Sequence, residues 1–355
     1  MINILELESS KGWGGQEKRT ARLVNSLDKN NFKVFWAVQP NSELLKRRNE
    51  INADFFEVSI RKSYDLVALW KVIKLVKENH IDIIATHSGK DGWIGALAGL
   101  FTKAKVIRTR HLQTPITSPI SYNLNDHVVT VSSQVKDYLI GRGVKQEKLS
   151  VIYTGVDTQK FSPSLKADIK KELNLPEDTI VIGIVAVLRA AKRHRDLIEA
   201  FTNIQTDKKV VVVIIGSGPQ EDNIKNLIVE KDLTNKVFML GHREDIDQIL
   251  PSLDVFVLPS NMEALGTAIL EASACGVPCV GSHVGGIPEC IKDKESGFLF
   301  EKENITQLTD VLTKLINDDA LRKQFEHNAR KLVEEHFSVS TMTQKTEALY
   351  KKAAE

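Results

Sequence analysis

The sequence predicts an α/β protein of two Rossmann-like domains, each a parallel sheet covered by helices on both faces. Three observations carry that prediction. Short apolar strands alternate with amphipathic helices along almost all of the 355 residues, the pattern of repeated βαβ units. The alternation breaks in the stretch TGVDTQKFSPSL at 154–165, where Gly155 and Pro163 interrupt it, and a second βα series then starts. The length, with 42% hydrophobic and 26% charged residues, is ordinary for a soluble two-domain chain. Open sheets of this kind place ligand crevices outside the carboxyl ends of their strands. Two such sheets facing each other leave a cleft between domains, a common ligand location. The expected domains are residues 1–160 and 161–338.

In the first series, residues 2–7 read as a buried strand, 9–15 as a glycine-rich loop and 16–27 as a helix, with the next strand at 33–38. Residues 65–79 read as an amphipathic helix because Leu66, Leu69, Trp70, Ile73 and Val76 recur at helical spacing. Short strands follow at 81–86, 105–109, 127–132 and 149–153. The second series has expected strands at 180–186, 209–215, 236–240, 254–258, 277–282 and 297–300. Helices at about 306–316, 320–336 and 339–352 close the chain. There is neither an internal repeat nor a low-complexity segment.

Composition narrows the function classes. No apolar run approaches the roughly 18 residues of a membrane helix. No signal peptide is expected, because Asn3 and Glu6 interrupt the start. The expected location is the cytoplasm. The net charge of +2 divides into +8 for residues 1–165 and −6 for residues 166–355. A basic first half suits an anionic acceptor or peripheral contact with an anionic membrane at its inner face, and ordinary surface variation gives the same asymmetry. No nucleic-acid partner is expected. Cys275, Cys279, His283 and Cys290 could be read as a zinc set. That reading is rejected: structural zinc uses tighter pairs in loops, whereas Cys275 and Cys279 fall at a helix end and in a buried strand.

The densest chemistry lies at 258–291, LPSNMEALGTAILEASACGVPCVGSHVGGIPECI. A buried strand ends at Pro259, a loop carries Glu263, and Leu265, Gly266 and Thr267 open a helix running to about Cys275. A helix start leaves amides unpaired and carries partial positive charge, and Gly266 permits close backbone approach, so a phosphate fits there. Glu271 shares a helix face with Thr267 and leans back toward that start. A carboxylate there does not bind phosphate; it suits a hydroxyl pair such as a ribose. Glu263 offers a second hydroxyl acceptor on the other side. The ligand these residues describe is a sugar–diphosphate–nucleoside.

The run EALGTAILEASACGVPCVGSHVGGIPE resembles the Glu-x7-Glu motif of the retaining, nucleotide-sugar-dependent glycosyltransferases of family 4. The resemblance implies the GT-B fold, two facing Rossmann-like domains with an interdomain cleft. It also implies that the last helix, about 339–355, crosses back to an acceptor-side first domain, leaving 161–338 to bind the nucleotide sugar. The stretch 154–165 is similar to the family's linker, with Thr154 in place of an asparagine.

Other motifs follow strands, as ligand residues of such sheets do. Gly12-Trp13-Gly14-Gly15-Gln16-Glu17 is not GxGxxG, and no acidic residue ends the second strand, so a nicotinamide site is poorly supported. The loop resembles the family's Gly-Gly-x-Glu, which puts Gly14 and Gly15 near donor and acceptor and leaves Glu17 to cap the helix. Arg108-Thr109-Arg110-His111 clusters cationic groups at a strand end, and His111 is similar to the family's active-site histidine, which faces the transferred sugar. His87, Arg108 and Arg110 are acceptor candidates. Lys192 matches the family's phosphate lysine, because DLIEAF at 196–201 follows in register. The family's arginine five positions earlier is Val187 here, and Arg189 is its candidate replacement. Gly216, Gly241 and Arg243 resemble the loops around the nucleoside. Asp245 and Asp247 look like a metal pair but read as a helix start.

The resemblance therefore implies a retaining glycosyltransferase with a UDP- or GDP-sugar donor, no essential metal, and a glycan or glycolipid acceptor, as in bacterial envelope synthesis (lipopolysaccharide, capsule or lipid-linked glycan). Lys192, Arg189 and the amides at Gly266 and Thr267 would meet the charge on the leaving diphosphate, Glu271 the ribose, Glu263 and His111 the sugar. The competing readings are a sugar-nucleotide epimerase of similar fold, a non-catalytic partner subunit, and a glycoside hydrolase. The last would use two carboxylates flanking one bond, about 5–9.5 Å apart.

Overall fold

Runs of Val, Ile and Leu bounded by polar turns become strands buried on both faces, as parallel sheets require. The computed structural model describes residues 1–164, 167 and 169–355. Leu165, the last residue of the expected linker, lies outside the described residues. The chain divides into two compact units, Met1–Gly155 with Val339–Glu355, and Val156–Ser338.

In the first unit the described strands are β1 (Ile2–Glu8), β2 (Phe32–Val38), β3 (Asp54–Glu57), β4 (Ile83–Thr86), β5 (Lys105–Arg110), β6 (His127–Thr130) and β7 (Leu149–Val151). All pair in parallel in the order β3-β2-β1-β4-β5-β6-β7. β1 is central, with Ile4 opposite Val34 on one side and Ile83 on the other. Its side chains alternate between faces. Leu5 and Leu7 join a core with Ala68, Leu69, Val72 and Ile94, while Ile4 joins Trp36, Ile83, Met342 and Tyr350. The last two come from the C-terminal helix Val339–Ala354, which packs on the helix Gly15–Ser26 and completes the unit's second face.

In the second unit β8 (Ile180–Val185), β9 (Val210–Ile215), β10 (Val237–Gly241), β11 (Val255–Leu258), β12 (Cys279–Ser282) and β13 (Gly297–Phe300) form a parallel sheet in the order β10-β9-β8-β11-β12-β13. Its core includes Ile182, Val212, Val257, Val280, Phe298 and Phe325. The change of winding at β8 and β11 opens the carboxyl ends of those two strands, where such sheets bind ligands.

Three expectations need correction. β3 was not anticipated: DFFE is too short and too charged at its ends to read as a strand, and it forms only because β2 offers an edge. The helix at Leu66–Glu78 exists, and Leu69, Ile73 and Val76 of its expected apolar stripe pack on the core, but Leu66 and Trp70 do not. It buries Ala68, Leu69, Val72 and Val76 and leaves Leu66 75% and Trp70 64% exposed. The set 68, 72, 76 is a competing stripe, and the small Ala68 lets the helix lie close to the sheet. The strand expected at 277–282 starts at Cys279, because Pro278 has no N–H to donate to the ladder. Among the described residues, no helix is long and apolar enough to cross a membrane.

Candidate active site

In the second unit the loops beyond β8, β9, β10 and β11 fold against one another. Gly216 has φ +143°, and a Cβ there would stand 2.0 Å from the Ala186 carbonyl oxygen. Only glycine fits this turn. The turn is tied by Leu188 N–H to Ser217 O at 3.0 Å and by Gly216 N–H to Gly241 O at 2.8 Å. The two expected nucleoside-loop glycines are thereby joined by one hydrogen bond. Asn261 N–H donates to Ala191 O at 2.8 Å, pinning the short turn Ala190–Lys192 to the loop after β11.

That loop is held from below by the glycine turn following β12. Gly286 N–H donates to Glu263 O at 3.1 Å, and a Cβ on Gly286 would meet Ala264 O at 2.4 Å and Leu265 Cα at 2.6 Å. Cys290 Sγ donates to Leu265 O at 3.0 Å and Ser282 Oγ to Ser260 O at 2.5 Å. The chain leaves the loop through Gly266, at φ +99°, and enters the helix Thr267–Ala274 with no side-chain cap. The first amides of this helix, which have no intrahelical partner, keep their partial positive charge.

Beside this helix start Lys192 Nζ forms an ion pair with the Glu263 carboxylate, which also accepts from Ser260 Oγ at 3.1 Å. Two residues given separate roles by the sequence are partners here. Leu265 is buried, while Thr267 and Glu271 are half-buried on the helix. Arg189 is exposed and opens the turn that carries Lys192. Arg243 is bound to its own neighbours, with Nη1 to Glu172 at 2.6 Å and Nη2 to Asp245 at 2.7 Å, and these carboxylates raise its pKa. Asp245 is the N-cap of the helix Ile246–Ile249. The three cysteines are free and buried; burial pushes the Cys275 and Cys279 thiols up to about 12. Sequence reasoning passed over His194. It is buried beside Lys192, with its pKa lowered to about 4 by burial and then by that charge.

In the first unit the chemistry gathers where β1, β4 and β5 end. Glu6 and Glu8, alternate residues of β1, are both fully buried. Glu6 Oε2 lies 2.6 Å from His87 Nε2, and His87 Nδ1 lies 3.1 Å from His111 Nε2. Glu8 accepts from Gln16 Nε2 at 2.7 Å and Ser10 N–H at 2.8 Å. Asp91 takes the amides of His87 and Ser88 at 3.0 and 2.7 Å. Glu17 accepts from Gly14 N–H at 2.8 Å, the helix-capping role expected of it, with Gly14 as N-cap and Gly15 as the first helical residue.

Two acceptor candidates are thus committed to the interior. His87 is 4% and Arg108 3% exposed. Arg108 donates to Ser121 Oγ at 3.1 Å and Ser88 O at 3.0 Å, and its guanidinium stacks 3.9 Å from the Tyr122 ring. Arg110 reaches Thr114 Oγ1 at 3.0 Å, outside the core. Of the cluster, His111 is the member whose Nδ1 has no partner among the described residues. Glu6 and Glu8 were missed, although two carboxylates at alternate positions of the otherwise apolar ILELE were a readable signal.

Residues 166–332 match the family model described as glycosyl transferases group 1, and residues 13–160 match that of glycosyltransferase family 4. The chain is 27% identical to the N-acetyl-alpha-D-glucosaminyl L-malate synthase of Bacillus anthracis, over 85% of this chain and 83% of that one. It is 29% identical to the UDP-Gal:alpha-D-GlcNAc-diphosphoundecaprenol alpha-1,3-galactosyltransferase of Escherichia coli, over 81% and 79%. In structure it is similar to Anabaena Alr3699/HepE, solved in complex with UDP, with a TM-score of 0.89, 22% identity, and coverage of 99% of this chain and 100% of that one.

Burial, and then Asp91, raise the Glu8 pKa from 4.5 to about 7. The unfolded chain ionises this carboxyl at lower pH than the folded one, so its cost to stability grows from pH 4.5 and is complete above 7. Glu8→Gln should raise the melting temperature at pH 8 by a few degrees and leave it unchanged at pH 4.5, read by differential scanning fluorimetry. An equal effect at both pH values would contradict this assignment.

Proposed function

This chain belongs to the family 4 glycosyltransferases, and from that premise we propose that it moves a sugar from a nucleoside diphosphate sugar to an acceptor hydroxyl with retention at the anomeric carbon. We assign UDP as the donor nucleotide, a reading supported by the UDP-Gal of the E. coli relative's name and the UDP bound to Alr3699/HepE. The proposed acceptor is a bacterial envelope glycan or its lipid-linked precursor, as in the E. coli relative. The B. anthracis relative, whose name carries L-malate, keeps a small anionic acceptor as the contrasting case.

The observation that carries the proposal is Lys192 paired to Glu263 beside the uncapped start of Thr267–Ala274. When the bond from the anomeric carbon to the diphosphate breaks, negative charge grows on the leaving oxygens. Lys192 turns from Glu263 to those oxygens, and the amides at Gly266 and Thr267 meet them where the charge develops. Glu263, released, accepts from donor-sugar hydroxyls, and Glu271 from the ribose. His111 donates to a sugar hydroxyl. The acceptor hydroxyl forms the new bond on the face the diphosphate leaves and passes its proton to a leaving phosphate oxygen. We assign no metal to this step, because Lys192 and the backbone supply the positive charge. A hydrolase reading would need Glu263 and Glu271 to flank one bond, whereas here they are assigned to different parts of one ligand, the donor sugar and the ribose.

Lys192→Ala should lower turnover of a UDP-sugar panel, scored as UDP release, by about 10²–10³-fold, the cost of losing one oxyanion donor. The melting temperature should stay close to wild type. Turnover near wild type would remove the diphosphate role. Glu271→Ala should chiefly raise the donor KM; an unchanged UDP affinity would remove the ribose role. Acceptor-independent interconversion of the sugar nucleotide would favour the epimerase reading.

We also propose that the first unit meets an anionic membrane from the cytoplasmic side. Support comes from the helix Leu66–Glu78 and the loop before it. Tyr64, Leu66, Val67 and Trp70 are each more than half exposed, next to exposed Arg61, Lys62, Lys71 and Lys74. A basic apolar surface of this kind gains from both headgroup charge and acyl burial. The double substitution Leu66→Ser, Trp70→Ser should cut cosedimentation with phosphatidylglycerol vesicles at least about tenfold, since each apolar side chain is worth about 1.5–3 kcal/mol when buried. Equal sedimentation of variant and wild type would overturn the proposal.

A further inference from the structure

Two buried histidine nitrogens 3.1 Å apart must share a single proton between them. Which ring supplies it decides what His111 offers a ligand. The side of His87 away from His111 faces the Glu6 carboxylate, an acceptor, so His87 Nε2 carries a proton. Two arrangements remain. With His87 neutral, its Nδ1 is bare, His111 donates from Nε2, and His111 Nδ1 is left as an acceptor. With His87 charged, Nδ1–H donates to His111 Nε2, and His111 carries its own proton on Nδ1, which has no partner among the described residues.

We propose that Glu6 and His87 are positioning residues that hold His111 as its Nδ1–H tautomer, so that a neutral imidazole presents a hydrogen-bond donor at the carboxyl end of the first sheet. The order β1-β4-β5 puts Glu6 on the central strand and His87 and His111 each one residue beyond the carboxyl ends of β4 and β5, so the pairing of these strands brings the three side chains together.

The charged groups around the pair favour this arrangement. Burial opposes charge on His87, but Glu6, with Glu8 on the same strand and Asp91 on the helix Gly89–Leu100, outweighs it and raises the His87 pKa. Burial, Arg19 of the helix Gly15–Ser26, His87 and Arg110 of β5 together hold the His111 pKa well below its usual value. Tyr350 of the C-terminal helix faces Glu6 and Arg19, and its own pKa is raised by burial and then Glu6, so it adds no charge. One positive charge therefore sits on His87 against Glu6, and none on His111. That His111 meets a sugar hydroxyl rests on the proposed glycosyl transfer; the tautomer does not.

The test is long-range nitrogen–proton NMR on the full chain labelled with ¹⁵N-histidine at pH 7, with resonances assigned by His87→Gln and His111→Gln. The expected spectrum has His111 protonated on Nδ1 and bare on Nε2, and His87 protonated on both nitrogens. In Glu6→Gln, which removes the charge that holds the extra proton, His87 should become neutral and the His111 pattern should invert. A bare Nδ1 on His111 in the wild type overturns the proposal without reference to any variant. So does a folded Glu6→Gln chain whose His111 pattern is unchanged. Loss of UDP-sugar turnover with the expected spectrum intact would count against the transfer reading and leave the tautomer standing.

Discussion

The second unit depends on one close approach, that of Gly286 to the backbone of Ala264 and Leu265. No side chain fits between the glycine turn and the loop after β11, since a Cβ would sit 2.4 Å from a carbonyl oxygen. That contact, with the hydrogen bonds from Gly286, Cys290 and Ser282, sets where Glu263 stands and the angle at which the chain enters the helix through Gly266. The uncapped helix start and the Lys192–Glu263 pair follow from it. Lys192 is half-buried and held by a single carboxylate.

The first unit solves a different problem. Its central strand carries two carboxylates into the interior, where an unpaired charge costs several kcal/mol. Neighbouring groups meet part of that cost. Glu6 Oε2 is matched to His87 while its Oε1 has no hydrogen-bond partner among the described residues, Glu8 is held by Gln16 and Ser10, and Asp91 accepts from the amides of His87, Ser88 and Ser9 and from the Ser9 hydroxyl.

Both α/β series and the 258–291 stretch were legible in the sequence, because parallel strands and helix starts depend on local patterns of apolar, glycine and proline residues. What was hidden depends on neighbours. The strand Asp54–Glu57 exists by pairing with β2, and the buried face of Leu66–Glu78 was chosen by the sheet beneath it, which preferred Ala68 and Val72 to Leu66 and Trp70. Arg108 and His87 look like ligand groups in a linear reading, and only the adjacency of β4 and β5 shows them consumed inside the fold. The glutamates of β1 were visible as a break in an apolar strand, but nothing in the order of residues says that the His87 side chain, from just beyond β4, reaches Glu6.

We propose that the start of the helix Thr267–Ala274 and Lys192 form the diphosphate seat. A crystal structure of the full chain with UDP tests it most directly. Phosphate oxygens are expected within hydrogen-bond distance of the Gly266 or Thr267 amide and of Lys192 Nζ, with the Lys192–Glu263 pair broken. A bound UDP whose phosphates lie elsewhere, with Lys192 still on Glu263, would contradict it.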